Sequence, residues 1–417
     1  MSDADTHIET PTTRFARRHD VQEITIHTDT REILANASKD IARLGLDKYF
    51  IVDVDAHHVE LDSWAEILTH IEDPVIRYNA QAIAKNWPYA ANLAMSSHAP
   101  GLTMQDAGGR IPHQAQLAEH VPILEGEHRD LTLVRRAMQA MKIDVQVVFP
   151  QPMLGIGMHP SAQAETQLVT AYNRWFVSRV LSRDSRIKSM LALPFRDPEA
   201  SLRTVLEFAD APGVVGFLVT SQRQTQVSSR GYMRLYAELE ERGLPLGFHA
   251  GPDYMMERAV NRFVSVHALS FVTCNMIHLT NWVMNGLPER FPKLKVIWIE
   301  SGLAWLPFMM QRLDHEWLLR QSDAPLLKRL PSDYIKEMFY TSQPLEATNM
   351  ELLEATFRAI NADTQLLYSS DWPHWDFDPP ARIASLPFLS ERARRNILGE
   401  NAAQLFKLKP ARSENGS

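Results

Sequence analysis

Four short segments of this chain carry side chains that can hold a metal ion. They are Asp55-Ala-His57-His58-Val-Glu60, the lone His249, Glu300, and Ser370-Asp371-Trp372-Pro373-His374. In an extended segment, residues i and i+2 point to the same side. Asp55 and His57 can therefore face one ion together, and His249 and Asp371 can complete the site from across a pocket. Two imidazole nitrogens and two carboxylates suit zinc, manganese or iron(II) better than calcium or magnesium. An open coordination position would take a water or the substrate. The chain has 16 histidines but one cysteine, Cys274, in the apolar run FVTCNMI. A buried thiol of that kind behaves as a small hydrophobe. A cysteine-based zinc site or an internal disulfide is excluded, so any metal must use His, Asp and Glu.

Other chemistry-bearing residues have plainer readings. His58 points away from His57 and is expected to support the site or pack, unless it joins Glu60, Glu300 and His374 around a second ion. His267 and His278 fall in a long amphipathic stretch and read as satisfied helix groups. His374 follows Pro373 and serves either a turn or a contact to substrate or metal. Trp305, Trp372 and Trp375 read as packing by default, with Trp372 also a candidate wall of the substrate pocket. Arg174 and Arg196 are candidates to reach a substrate carboxylate. The cluster Arg392, Arg394 and Arg395 reads as a solvated helix face.

The elements that must position these groups repeat. Eight short apolar runs occur at 49–54, 145–149, 189–193, 214–219, 245–249, 295–300, 337–341 and 365–370. Most are nearly continuous in apolar residues, as parallel strands covered on both faces are. Helical patterns such as LVTAYNRWFVSRVLS and GYMRLYAELEERG separate them. Eightfold strand–helix alternation predicts a (β/α)8 TIM barrel, whose active face lies at the strand C-termini. The metal-capable residues then sit at strand ends one, five, six and eight. The first crossover, Asp55 to Asp144, is longer than a βα unit needs. Residues 60–130 are expected to form a lid-like helical insertion over the barrel mouth. Residues 1–45 are expected to be an arm outside the core, 46–408 the barrel, and 409–417 a flexible tail.

Charge and hydropathy narrow the class. With 43 basic and 50 acidic residues the net charge is −7, which gives no general case for nucleic-acid binding. No stretch approaches the roughly 20 apolar residues of a membrane span. The polar start MSDADTHIETPTTRFARRHD lacks the apolar region of a secretory signal. A cytoplasmic enzyme acting on a small molecule is expected. Assembly is expected as a homodimer or as a hetero-oligomer with a paralogous subunit.

The segments DVDAHHVE, GFHAG, GLPERFPKLKVIWIESGLAWLPFMMQRLD, YSSDWPHWDFD and NILGENAAQLF resemble the signatures of the amidohydrolase-2 family. That branch of the amidohydrolase superfamily contains aminocarboxymuconate semialdehyde, hydroxybenzoate and carboxyvanillate decarboxylases. The resemblance covers strand one and nearly everything from 245 to 407. It implies Asp55, His57, His249 and Asp371 as ligands of a divalent transition metal (Zn, Mn or Fe), with one ion expected. Strand four ends in Val219-Thr220-Ser221, without the lysine that bridges two metals in the superfamily's urease-like members. One departure stands out: where the decarboxylases carry a His followed by two glycines, this chain has Glu300-Ser301-Gly302. The expected function is metal-dependent hydrolysis or non-oxidative decarboxylation of a small organic acid or amide, with Asp371 and Glu300 catalytic. If Glu300 binds a second ion, the resemblance extends to dimetal (Mn/Fe) oxygen-dependent hydroxylases of small amino acids such as 2-aminoisobutyrate. A catalytically silent barrel subunit that supports an active paralogue is the remaining alternative.

Overall fold

A computed structural model describes residues 30–86, 126–220, 225–249, 251, 263–374 and 376–409. The expected arm up to residue 29, the central insertion 87–125, Ser221, Trp375 and the tail from 410 lie outside the described residues.

Eight parallel strands pair in sequence order. They are β1 (Val52–His58), β2 (Val145–Pro150), β3 (Ile187–Ala192), β4 (Val214–Val219), β5 (Leu246–His249), β6 (Val296–Ile299), β7 (Phe339–Thr341) and β8 (Leu366–Leu367). Each falls in or overlaps one of the eight apolar runs. The ring closes where β8 and its extension meet β1. Val54 N–H donates to Tyr368 O at 2.9 Å, Asp371 N–H to Asp55 O at 2.7 Å, and His57 N–H to Trp372 O at 2.7 Å. This is the TIM barrel that the alternation predicts.

Two apolar layers hold it. Val52, Val54, Val145, Val147, Phe149, Met190, Leu218, Ile297, Ile299 and Leu367 pack on one another inside the barrel. The opposite strand faces, with residues such as Val148, Leu191, Phe217, Phe248 and Trp298, meet the helices. The helix Ala162–Arg179 contributes Leu168, Val169, Tyr172, Trp175 and Phe176 to that outer layer. Local sequence sets the helix starts. Ser161, Asp197 and Asn349 each accept an amide hydrogen bond from the first turn that follows, which satisfies one orphan donor there. Gly243 ends the helix Met233–Arg242 in the left-handed region, at φ 63°, where a side chain would be strained.

Two expectations change. The eighth strand is shorter than the run 365–370. Beyond Leu367 the ladder gives way to other partners: Tyr368 N–H donates to Ile397 O, Ser369 N–H to the Ser342 hydroxyl, and Ser370 N–H to Asp53. The boundary at residue 45 also moves. Thr30–Leu44 is a helix that buries Ile33, Leu34, Ala37 and Ile41 in the main core, and Ser38 Oγ donates to Ala140 O. Average polarity conceals that stripe, because a helix needs only one apolar face. Residues 63–80 likewise belong to the outer layer, through Trp64, Ile67, Leu68, Ile71 and Ala80. Among the described residues, no helix is long and apolar enough to cross a membrane.

The motif NILGENAAQLF has a packing reason. It forms a wide helical turn, Asn396–Glu400, pressed against the entry to β1. A Cβ at Gly399 would lie 2.9 Å from the Phe50 carbonyl carbon and closer still to its oxygen. Backbone cannot yield as a side-chain tip can. Gly399→Ala should therefore lower stability by about 1–3 kcal/mol or more, read as a reduced denaturation midpoint. Gly155→Ala, where the added methyl meets nothing within 4 Å, should be close to neutral. Equal midpoints for both variants would refute this account of the motif.

Candidate metal centre

The site begins with a fault in β1. Asp53 pairs with Gln146 and Ala56 with Val148, so three residues of β1 span what two of β2 span. Such a bulge re-aims the side chains beyond it. Before it, Val52 and Val54 point into the barrel interior. After it, Asp55 and His57 take the inward side and His58 the outward side. The i, i+2 pairing expected of Asp55 and His57 is present, but the bulge supplies its phase.

Three other strand ends, five, six and eight, converge on these two residues. His57 Nε2 lies 3.2 Å from Asp55 Oδ1 and 3.0 Å from Asp371 Oδ1. His249 places Nε2 at 3.4 Å from Asp55 Oδ1 and Nδ1 at 3.4 Å from Glu300 Oε2. His374 Nδ1 is 2.7 Å from Asp371 Oδ1 and 3.8 Å from Glu300 Oε1. Donor atoms of Asp55, His57, His249 and Glu300 all lie within 4.8 Å of one another, as do those of His57, Asp371 and His374. Every one of these residues is buried.

Both oxygens of Asp55, Glu300 and Asp371, and Nε2 of His57, are buried and have no hydrogen-bond partner among the described residues. Buried polar atoms are rarely left so, and this donor set is the kind that holds a divalent cation. The electrostatics agree. Burial alone would raise Asp55, but the neighbouring His249 and His57 outweigh it and hold its carboxyl well below the usual range. Burial, reinforced by Asp371 and Asp55, pushes Glu300 well up. Burial also raises Asp371, against the pull of His57. Burial would lower His57, yet Asp371 and Asp55 draw a proton onto it and raise it to about 10.

Supporting contacts orient the donors. His57 Nδ1 lies 3.2 Å from Pro150 O; a proton donated there turns the Nε2 lone pair toward the centre. Asp53, on the outward face, accepts from Ser370 N and Oγ and from Gln146 Nε2, and so ties strand end eight to strand one. Burial raises Asp53 to about 7 against those same bonds from Ser370 and Gln146. Asp53, Gln146 and Ser370 were not legible as site residues, since nothing in the sequence signals an outward-facing buried aspartate. The short run 365–370 beside a strand-one Asp is the only trace.

The structure separates the other candidates. Glu60 stays outside both donor groups, because its oxygens accept the amides of Gln151 and Met153 at 2.9 and 2.7 Å. His58 stacks on Phe176 and bonds Asp130 and Tyr172, so it supports the outer layer. Arg174 is spent on surface ion pairs with Glu72 and Glu207 and does not face the pocket. Arg196 bonds the His159 carbonyl after β3. Trp372 is a core residue, edge-on to Phe377. His374 joins the centre.

Comparison with known proteins places this geometry. A family model described as Amidohydrolase matches residues 118–408. The chain is 28% identical over 252 residues to a gamma-resorcylate decarboxylase of Polaromonas sp., covering 57% of this chain and 75% of that one. It is 23% identical over 319 residues to the gamma-resorcylate decarboxylase of a Rhizobium sp., covering 73% and 94%. The fold matches the crystal structure of 5-carboxyvanillate decarboxylase from Sphingomonas paucimobilis with TM-score 0.61 at 18% identity, over 87% of this chain and all of that one. It also matches a dihydroxybenzoic acid decarboxylase from Polaromonas sp. with bound manganese and the inhibitor 2-nitroresorcinol, with TM-score 0.60 at 20% identity, over 87% and 98%.

His57→Ala, His249→Ala and Asp371→Asn should each lose bound metal while circular dichroism stays that of the folded barrel. The loss in affinity should exceed the roughly 10- to 100-fold typical of removing an outer partner. Arg174→Ala should keep both metal and turnover. Unchanged metal content in the first three variants would show that the ion binds elsewhere.

Proposed function

We propose that this chain, which belongs to the amidohydrolase family, is a metal-dependent carboxy-lyase that removes carbon dioxide, without oxidation, from a small aromatic hydroxy acid. The carrying observation is the buried convergence of Asp55, His57, His249, Glu300 and Asp371, in which the carboxylate oxygens and His57 Nε2 have no hydrogen-bond partner among the described residues. The decarboxylase relatives support carbon dioxide release over hydrolysis as the reaction. Their aromatic acids support the substrate class.

Asp55, His57, His249 and Asp371 would hold one divalent ion, for which manganese, iron or zinc fit the donors. When bound, it supplies Lewis-acid polarisation of substrate oxygens and a fixed orientation. The chain's own groups do the rest. Breaking the bond to the carboxylate leaves electrons on a ring carbon, and that carbon must receive a proton. Glu300 stands beside the centre with a carboxyl that burial favours in its protonated form, and it delivers that proton. The carboxylate R–COO⁻ and the Glu300 proton give R–H and carbon dioxide, and Glu300 regains a proton from solvent between turnovers, so atoms and electrons balance with no oxidant. Burial of the strand ends keeps bulk water from competing.

The reading is tested with the purified enzyme and a panel of 2-hydroxybenzoates under nitrogen. Metal content should approach one ion per chain, and each substrate consumed should release one carbon dioxide. Glu300→Gln should keep its ion and lose turnover by about 10²- to 10⁴-fold, as removal of a general acid does. Two ions per chain, with Glu300→Gln losing one of them and turnover that stops without oxygen, would replace the lyase with a dimetal hydroxylase.

A further inference from the structure

Gln151 plays no part in the chemistry above, yet its side chain meets the centre. It follows β2 directly, and its Oε1 lies 2.5 Å from His374 Nε2. The preceding residue, Pro150, offers its carbonyl to His57 Nδ1 at 3.2 Å. Consecutive residues of one turn thus touch the outer nitrogens of two imidazoles. Those two rings are stacked, with centroids 4.5 Å apart and an interplanar angle of 26°.

The turn itself is anchored. Glu60, from just beyond β1, accepts the amides of Gln151 and Met153. Both Glu60 oxygens are thereby used, and the turn is held against the strand that carries Asp55 and His57. A buried carboxylate spent on loop amides is a strong fixture, because charge-assisted bonds are about twice as strong as neutral ones.

We infer that Gln151 is a positioning residue: its Oε1 accepts the Nε2 proton of His374 and so fixes the tautomer whose Nδ1 lone pair faces Asp371 and the metal centre. The turn Pro150–Met153, locked by Glu60, then sets both stacked histidines with bare nitrogens inward, one through a backbone carbonyl and one through a side chain. This arrangement has a consequence for His374. Its Nδ1 stands 2.7 Å from Asp371 Oδ1, and a lone pair facing a carboxylate at that distance needs either a cation beside them or a proton on the carboxyl. Gln151 therefore keeps a His374 Nδ1 lone pair, rather than an Nδ1 proton, turned to Asp371 and the centre. The inference rests on the metal-centre reading for its purpose, while the tautomer itself is observable without any ion.

Two substitutions and one spectrum test it. Gln151→Glu presents an acceptor with no donor and should preserve the tautomer. Gln151→Leu removes the acceptor. Titration of metal-free protein with manganese should give Gln151→Glu an affinity within a few-fold of the parent, and Gln151→Leu a loss of about 10- to 100-fold, with denaturation midpoints little changed. Nitrogen-15 spectra of histidine-labelled, metal-free protein should show His374 protonated at Nε2 in the parent and in Gln151→Glu, and a mixture in Gln151→Leu. The inference is overturned if the parent carries the proton on Nδ1, for then the Gln151 amide donates and Gln151→Glu should be the worse variant. It is also overturned if Gln151→Leu binds manganese as the parent does. A parent that binds no manganese would sink the metal-centre reading, and the tautomer spectrum would still decide the role of Gln151.

Discussion

Three carboxylates, Asp55, Glu300 and Asp371, are held together out of water at the barrel mouth, and their mutual repulsion is the constraint that the local structure answers. At an effective dielectric of about 20, two unit charges 4 Å apart interact by about 4 kcal/mol. Desolvation of each buried ion adds several more. The fold offsets part of this with His57 and His249, and the rise of His57 to about 10 shows the carboxylates drawing a proton onto it. A divalent cation held by the same residues would do the work better. It would supply two positive charges, leave the His57 Nε2 lone pair free and satisfy oxygens that have no hydrogen-bond partner among the described residues. Glu300, raised by burial and by Asp371 and Asp55, is the carboxyl with most reason to stay neutral, which is the state a proton donor needs.

Holding such groups together strains the backbone. Glu300 and Asp371 adopt φ of 53° and 57°, a region that costs a residue with a Cβ about 1–2 kcal/mol. Both are fastened where they strain. Glu300 N–H donates to the Thr341 hydroxyl, and Asp371 N–H to Asp55 O. Gly302, at φ 65°, lets the chain turn on past Glu300, and Glu346 accepts the amides of Leu303 and Ala304. A Cβ on Gly302 would meet the Glu346 carboxyl carbon at 2.9 Å. Strain of this kind persists where surrounding bonds over-determine it, and here it coincides with two of the three acids that face the centre.

The barrel was legible because its strands are apolar on both faces. A run such as VVGFLV needs no pattern beyond length and content, and it stands as β4. Asp55, His57, His249, Glu300 and Asp371 were legible because a parallel barrel brings strand ends together whatever the loops do. What escaped were contacts that depend on phase or on distant backbone. The β1 bulge cannot be read from VDVDAHH, although it puts Asp53 and Asp55 on opposite faces where an unbroken strand would put them on one. Glu60 carries the right chemistry for a metal, but its partners are amides some ninety residues away. Arg174 looked available because a sequence does not show that Glu72 and Glu207 flank it in space. Thr30–Leu44 looked like an arm because its apolar stripe of four residues is diluted by its polar face.

The bulge also divides β1 into two kinds of work. On the outward face, Asp53 binds Ser370 and Gln146, and His58 binds Asp130 and Tyr172. Both networks are buried and fix the strand against β8, β2 and the outer helices. On the inward face, the Asp55 oxygens and His57 Nε2 have no such bonds among the described residues and are placed to take an ion. A carboxylate at position 300, where the resemblance to the decarboxylases implies histidine, fits this division. Histidine there would add a fourth imidazole beside His57, His249 and His374 and would supply a proton from a cationic ring. In the proposed reaction glutamic acid would supply one from a neutral group, and its readiness to do so would depend on how much of the Asp55 and Asp371 charge a bound ion had absorbed. Occupancy of the centre and acidity of Glu300 would then be coupled through charges that the barrel brings within a few ångströms of each other.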